Sequence, residues 1–248
     1  MITYDGMELS AGAKVLDVRR PLLPPQQVSM LSMELKNGSF FYSKTSGNLS
    51  IEIDIMILGA DRSEVRENIR SFAGFINASE PKVLIIQDEP DKYIKAILEG
   101  NSDLENFYRL GKGTITMIAP DPFYYAIEDD TFTFTDSVVH NFSRKGNTDS
   151  YPTIEINGVS SGGSFKVIAN DYAMTFTGNL ASGESLLLNS ELLTASIVDA
   201  DGLVTSAIPY LDNLDFSVFN SGVNSIKIEA NEGAVLGNYF IRCNSRWN

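Results

Sequence analysis

Apolar and polar residues alternate over Leu49–Leu58. Leu49, Ile51, Ile53, Ile55 and Ile57 fall on one face, and Ser50, Glu52, Asp54 and Met56 on the other. Five β-favouring positions at a period of two predict a half-buried strand. The period then lengthens. Val65, Ile69, Phe72, Ala73 and Ile76 recur at helical spacing, with Glu64, Arg66, Glu67, Asn68, Arg70 and Ser71 on the other face. This predicts an amphipathic helix over 61–77. Asp61 stands at its N-cap position with Glu64 three residues on, the spacing of a capping box, and Pro81 marks its end region. Lys82–Gln87 is an apolar run of strand length, and Asp88-Glu89-Pro90-Asp91 has turn chemistry. Tyr93–Leu98 reads as the returning strand, ended by Gly100-Asn101. Thr114, Thr116 and Ile118 then alternate with Ile115, Met117 and Ala119 until Pro120 and Pro122 stop the strand.

Upstream, Val28–Leu35 is a mixed apolar run. Helical periodicity is strong only at 61–77, so the first half is expected to be mostly antiparallel β with one helix and a hairpin attached. The pattern shifts after Phe134. Asp136–Asn147 has no period and leads into Arg144-Lys145-Gly146-Asn147-Thr148-Asp149, which predicts a linker at 136–150. From Tyr151 onward short strands are expected at Thr153–Ile156, Ser164–Ala169, Ala173–Thr177, Ser185–Leu188, Thr194–Val198, Leu214–Phe219, Ser225–Glu229 and Tyr239–Cys243. Turns such as Ser161-Gly162-Gly163, Asp201-Gly202 and Asn220-Ser221-Gly222 separate them. Short strands at this interval argue for a β-sandwich. The expected organisation is a mainly β chain with domains at 1–135 and 151–248 joined by the linker. No repeat of solenoid or propeller period is present.

Composition narrows the function classes. At 248 residues the chain suits one large domain or two of ordinary size, and 43% hydrophobic with 10% aromatic residues is a globular make-up. The apolar runs are of strand length, too short to span a bilayer as helices. The N-terminal residues show neither a basic region nor an apolar one of secretory type, which leads us to expect no signal peptide. Cys243 is the single cysteine, so neither an internal disulfide nor a cysteine metal cage can form, and folding in a reducing cytoplasm is expected. The net charge of −13 is spread along the chain. Residues 1–135 carry 13 Lys and Arg against 20 Asp and Glu, and residues 136–248 carry 6 against 12. Such a balance disfavours tight nucleic-acid wrapping. It serves solubility, and it also suits a channel wall along which a polyanion slides without sticking.

Candidate chemistry is thin. Asp88, Glu89 and Asp91 offer oxygens to a hard cation such as Ca²⁺, but a solvated hairpin turn is the simpler reading. Asp199-Ala200-Asp201-Gly202 starts like a calcium loop yet lacks its later ligands, and reads as an Asp-Gly hairpin turn. Glu128-Asp129-Asp130 reads as an exposed approach to a strand. Gly111-Lys112-Gly113-Thr114 lacks the leading glycine of a phosphate loop and precedes a strand instead of a helix. His140 is the single histidine and falls in the expected linker, away from any nucleophile–base pairing. Cys243, in a terminal strand, reads as a small buried apolar residue. Paired carboxylates for glycoside hydrolysis need not be neighbours in sequence, and no local feature favours them. No catalytic, cofactor-binding or metal-ligating residue is assigned.

With these elements placed, the chain resembles the distal tail (Dit) family of long, flexible-tailed phages and prophages. Arg19-Arg20-Pro21 with Pro24-Pro25 resembles the family's Arg- and Pro-containing start. Ile51-Glu52-Ile53 followed by Glu64–Arg70 matches its long strand and helix. Asp88-Glu89-Pro90-Asp91-Lys92-Tyr93-Ile94-Lys95-Ala96 matches an Asp-Glu-Pro-Asp-x-Tyr-x-x-Ala phrase. Gly113–Met117 with Asp121-Pro122-Phe123 matches the close of the first domain, and Gly146-Asn147-Thr148 with Tyr151–Ile154 the opening of the second. Ser221-Gly222-Val223-Asn224-Ser225-Ile226 matches a late phrase, and Arg246-Trp247 the ending. The chain departs from the family in two places. Lys36-Asn37-Gly38 stands where a Gly-Arg-x-Gly segment is common, and Ser221 replaces a common proline.

The resemblance marks Asp88, Pro90, Asp91, Tyr93, Gly113, Asp121, Pro122, Gly222 and Asn224 as structural motif positions. It implies a first domain that is a β-sandwich belt carrying a helix and a hairpin, and a galectin-like β-sandwich as the second. It implies that six copies form a ring joining the tail tube to the tip or baseplate, made in the bacterial host cytoplasm and carried at the virion tail tip. Partners would be the tail tube, tape-measure and hub or baseplate proteins, with tape measure and DNA passing through the hole. The alternative is a carbohydrate-binding module in the second domain that contacts the host cell wall, with Tyr151, Tyr172, Tyr210 and Tyr239 as candidate platforms.

Overall fold

The long alternating strand is the axis of the first unit. The computed structural model describes residues 2–8, 13–34, 36–100 and 112–248. The protein is mainly β with one α-helix. It divides into two compact units, the first running to Ile127 and the second spanning Glu128–Trp247. In the first, β1 (Ile2–Tyr4), β2 (Met7–Glu8), β3 (Ala13–Arg19), β4 (Gln26–Ser32), β5 (Ser39–Ser46) and β6 (Leu49–Ile57) precede α1 (Arg62–Ile76). Then come β7 (Lys82–Ile86), β8 (Lys92–Glu99), β9 (Lys112–Ala119) and β10 (Tyr124–Ala126).

An antiparallel sheet runs in the order β2-β1-β7-β8-β9-β6-β3. The five predicted inward positions of β6 are each at most 3% exposed. β6 pairs with β9 on one side, Ile53 opposite Ile115, and with β3 on the other, Arg19 opposite Glu52. The core also takes Ile2, Tyr4, Leu84, Ile94, Met117 and the helix residues Ile69, Phe72 and Ile76.

Helix α1 starts where the capping chemistry predicts. The Asp61 carboxylate accepts from the backbone N–H groups of Ser63 and Glu64 at 2.8 and 2.9 Å. Glu64 reaches back to the N–H of Ala60 at 2.6 Å, so donors left open by the first turn are satisfied. Just before the cap, a Cβ on Gly59 would lie 2.7 Å from the backbone nitrogen of Val65. Only glycine lets the chain turn this tightly from β6 into the helix.

The second unit holds β11 (Asp130–Phe134), β12 (His140–Arg144), β13 (Thr153–Ser160), β14 (Phe165–Ala169), β15 (Tyr172–Phe176), β16 (Ser185–Asn189) and β17 (Thr194–Val198). β18 (Val204–Ser206), β19 (Gly222–Ala230) and β20 (Ala234–Cys243) complete it. They form two antiparallel sheets, ordered β11-β20-β13-β16-β17-β18 and β12-β19-β14-β15. Their inner faces share one apolar core containing Ile154, Ile156, Phe165, Phe176, Leu186, Ile228, Tyr239 and Ile241. The Asp-Gly turn joins β17 to β18 as expected. Asp199 Oδ1 accepts from the N–H groups of Asp201 and Leu203 at 2.9 and 2.8 Å.

Two expectations are corrected. The segment 136–150 is not a bare linker, because it contains β12, paired with β19 from His140–Ile226 to Arg144–Gly222. The division between units lies at Ile127/Glu128, ahead of the expected boundary. What appeared aperiodic is fixed by a long-range side chain. Arg144, 5% exposed, donates to the carbonyls of Asn220 at 2.9 Å, Lys145 at 2.8 Å and Phe219 at 2.9 Å, and to that of Thr148. Burial pulls its guanidinium below the usual arginine range. The expected strand Leu214–Phe219 is also absent apart from a bridge between Phe219 and Ser150. Here side chains replace a backbone ladder. Asp212 Oδ1 accepts from Thr175 N at 2.7 Å, Asp215 from Ala173 N at 3.2 Å, and Asn213 donates to Ala173 O at 3.1 Å. These contacts cover the outer edge of β15 with local hydrogen bonds.

Phe72→Ala is expected to lower the free energy of unfolding by roughly 3–5 kcal/mol, the cost of emptying a buried aromatic site; denaturant titration measures it. Arg144→Leu is expected to cost about 3 kcal/mol, because it strips partners from several buried carbonyls at once. Calorimetry that shows two transitions would place this loss in the second.

Candidate assembly surface

Between β3 and β6 the chain leaves the sheet. Because these strands pair with Arg19 opposite Glu52, residues 20–48 must exit and return at one point. They do so as a ribbon. β4 and β5 pair only with each other, from Gln26–Ser46 to Ser32–Ser39, with a register shift between Ser29 and Met30. The base is tied down. Gly47 N donates to Pro25 O at 2.8 Å, and Gln26 Nε2 donates to Pro24 O at 2.7 Å. Arg19 binds both Glu52 and Asp54, with Nη2 to Asp54 Oδ1 at 2.9 Å. Hydrogen bonds from Arg19 and from Thr114 hold the Asp54 carboxyl below its ordinary range.

Beyond the base the ribbon is bare. Val28, Met30, Leu31, Met33, Phe40, Phe41 and Tyr42 are all exposed, Tyr42 to 79%. Consecutive apolar residues on a strand normally mean that both of its faces are covered. Here both faces and both edges are open. A two-stranded ribbon of this kind is marginal in water by itself, and apolar surface of this extent marks a contact site.

The motif positions of the first unit gather beside this base. Asp88, Pro90 and Asp91 form the turn between β7 and β8. Its carboxylates are answered by cations of the chain: Arg20 reaches Asp88 at 2.6 Å and Glu89 at 2.9 Å, and Lys92 reaches Glu89 at 2.9 Å. Arg20 also lies over the ring of Tyr124, 5.5 Å from its centroid. Tyr93 stacks on Tyr125 at 5.7 Å, and Tyr125 donates to the carboxylate of Asp121, which Pro122 follows. Arg20, Asp88, Tyr93 and Asp121 thus belong to one polar and aromatic cluster, although 101 residues separate the first from the last. Gly113 stands apart in β9, opposite Ile55; Gly111 lies outside the described residues.

Gly222 and Asn224 build a turn in the second unit. Gly222 has φ +89°, in the left-handed region that favours glycine. The Asn224 amide accepts from Asn170 Nδ2 and Asn220 N, both at 2.9 Å, and donates to the carbonyls of Asn220 and Gly222 at 3.0 and 3.1 Å. All four of its hydrogen-bonding positions are filled within the protein.

The other candidates scatter. His140 stacks on Phe134 at 4.0 Å and its Nε2 lies 2.6 Å from Asp136 Oδ1, an edge contact of β12. Cys243 is fully buried and its thiol is pushed up to about 12 by burial. Asp130, expected on an exposed approach, is held by Lys145 N at 2.7 Å and Ser245 Oγ at 2.8 Å. Tyr239 is buried, with its hydroxyl also pushed up to about 12. Tyr151 lies under the Arg246 guanidinium at 4.8 Å, and Tyr210 meets Phe176 edge-on. Among the described residues no cluster of three His, Cys, Asp or Glu side chains is arranged to hold a metal. Sequence reasoning missed the second strand of the ribbon. Its signal was Phe40-Phe41-Tyr42, an aromatic run without alternation.

Comparison with known proteins gives the surface a context. Residues 13–119 match the family described as phage tail protein RIFT-related domain. No curated protein sequence matches the chain. The crystal structure of the phage SPP1 Dit protein, described as a paradigm of the hub adsorption apparatus in phages infecting Gram-positive hosts, superposes with a TM-score of 0.81. It is 15% identical, with 100% of this chain and 98% of that one covered. Chains of the phage p2 baseplate in its activated conformation, with Sr or with Ca, reach a TM-score of 0.50 at 11% identity, covering 95% of this chain and 91% of theirs. The chain therefore carries a phage tail RIFT-related domain across residues 13–119, within a fold shared along its whole length with a siphophage distal tail protein.

Proposed function

We propose that the protein is the distal tail hub of a phage or prophage: a ring of six copies that joins the tail tube to the tip or baseplate. The observation that carries this is the β4–β5 ribbon, whose consecutive apolar residues are open on both faces. A neighbouring copy laid against it covers that surface and completes its edges, and a head-to-tail contact of this kind closes into a ring when its rotation divides the circle. The number six rests on the resemblance to the distal tail family. In this reading tail tube, tape-measure and baseplate proteins bind the ring's two ends, and the protein acts by assembly instead of catalysis. The acidic chain, at −13, gives the hole a surface past which DNA phosphates move without binding. The protein is made in the bacterial cytoplasm and works at the virion tail tip.

Purified full-length protein is expected to show a mass that rises with concentration toward six copies, with rings open enough for duplex DNA in electron micrographs. Mass action permits monomers when dilute. The double substitution Met30→Ser and Phe41→Ser alters only exposed side chains. It is expected to raise the concentration for assembly by about tenfold or more, with thermal unfolding of the monomer unchanged. A monomer at every concentration, or rings formed equally well by the variant, overturns the reading.

A further inference from the structure

The larger sheet of the second unit gives one face to the core and the other to solvent, and cross-strand register decides what the outer face carries. Phe240 on β20 lies opposite Glu155 on β13, and Glu155 opposite Leu187 on β16. In the neighbouring row Arg242 faces Thr153, and Thr153 faces Asn189. On the other side of the central row, Asn157 faces Ser185. The register of β13 against β20 shifts between Asn157 and Gly158, and a bulge of this kind bends its strand and increases the local twist. A cavity of about 680 Å³ opens over the face, lined by Phe240, Glu155, Arg242, Thr153, Leu187 and Asn189 among others.

Two features of this floor select a class of ligand. The side chains of Thr153, Glu155, Ser185 and Arg242 make no hydrogen bond or ion pair within the described residues, so their donors and acceptors are available. The Phe240 ring is 38% exposed at the middle of this polar surface, where a strand facing water ordinarily carries a polar residue. One carboxylate and one guanidinium give no net field to attract a polyanion. A single ring with one leucine makes too small an apolar patch for a lipid surface or a protein anchor. A pyranose ring fits the combination: an apolar C–H face to lie on the phenyl ring, and a rim of hydroxyls that each donate and accept. Glu155 can accept from two hydroxyls, the Arg242 fork can donate to others, and the Asn189 amide can do both.

We propose that this face binds a saccharide, a run of pyranose units laid across β20, β13 and β16 with one ring stacked on Phe240. The site is open, so affinity is modest and strengthened by repetition wherever several copies of the protein stand together. The inference does not depend on ring assembly, since its residues all lie in the second unit.

The test uses the full-length chain and hexasaccharides of glucose, N-acetylglucosamine, galactose and rhamnose, with saturation-transfer NMR for binding and titration calorimetry for affinity. At least one hexamer is expected to bind. Phe240→Ala and Glu155→Gln are each expected to weaken that binding tenfold or more while thermal unfolding is unchanged. Val223→Ser, an equally exposed position on β19 in the other sheet, is expected to bind as the parent does. Absence of binding by all four hexamers overturns the proposal, as does equal binding by the Phe240→Ala and Glu155→Gln variants. Solution mass is read in parallel: a ring that forms without sugar binding removes only this proposal, and sugar binding by a chain that forms no ring removes only the hub.

Discussion

Pairing of Leu49–Ile57 along both of its edges is the constraint on which the first unit depends. With β9 on one side and β3 on the other, every backbone group of this strand is committed, and its isoleucine face becomes the floor of the core. Helix α1 then has one surface to cover, and Gly59 fixes how abruptly the chain turns toward it. The same pairing forces residues 20–48 out of the sheet, since β3 and β6 are already neighbours and leave no place for intervening strands. The bare ribbon is thus a consequence of the central ladder. The ion pairs of Arg19 and Arg20 hold the base from which it departs.

The second unit is organised differently. It has a sandwich core between two sheets, and its irregular segments are held by polar side chains that reach backbone groups. Arg144 gathers four carbonyls, Asn224 saturates a turn, and the residues 212–215 cover the edge of β15. Such contacts commonly contribute about 1 kcal/mol each. Their larger effect is to exclude alternatives, because each group left unpaired would be buried without a partner. This lets stretches without periodicity remain fixed in place, and it leaves the outer face of the larger sheet free to carry chemistry of its own.

Repeating patterns with one buried face were legible in the sequence. The strands at Leu49–Ile57 and Thr194–Val198, the helix from Arg62 to Ile76, the Asp88–Asp91 turn and the Asp-Gly turn at Asp201-Gly202 follow from period, capping and turn chemistry. All of these are decided by residues within one or two turns of one another, and local preference agrees with the burial that results. Mainly β architecture followed, and the ordered family phrases pointed to a tail protein.

Tertiary structure alone decided the rest, because the deciding partners are far apart in the chain. Residues 140–144 look aperiodic until Arg144 meets the carbonyls of Phe219 and Asn220. Leu214–Phe219 looks like a strand until neighbouring carboxylates and an amide take the edge that it would have filled. Phe40-Phe41-Tyr42 fits no single-faced pattern, because the chain does not itself supply what covers those rings. Sequence determined which segments become strands and helix, since that depends on short-range sterics and hydrogen bonding. Only the fold decided which apolar surface is spent inside the molecule and which remains outside, since burial depends on neighbours that sequence order does not bring together.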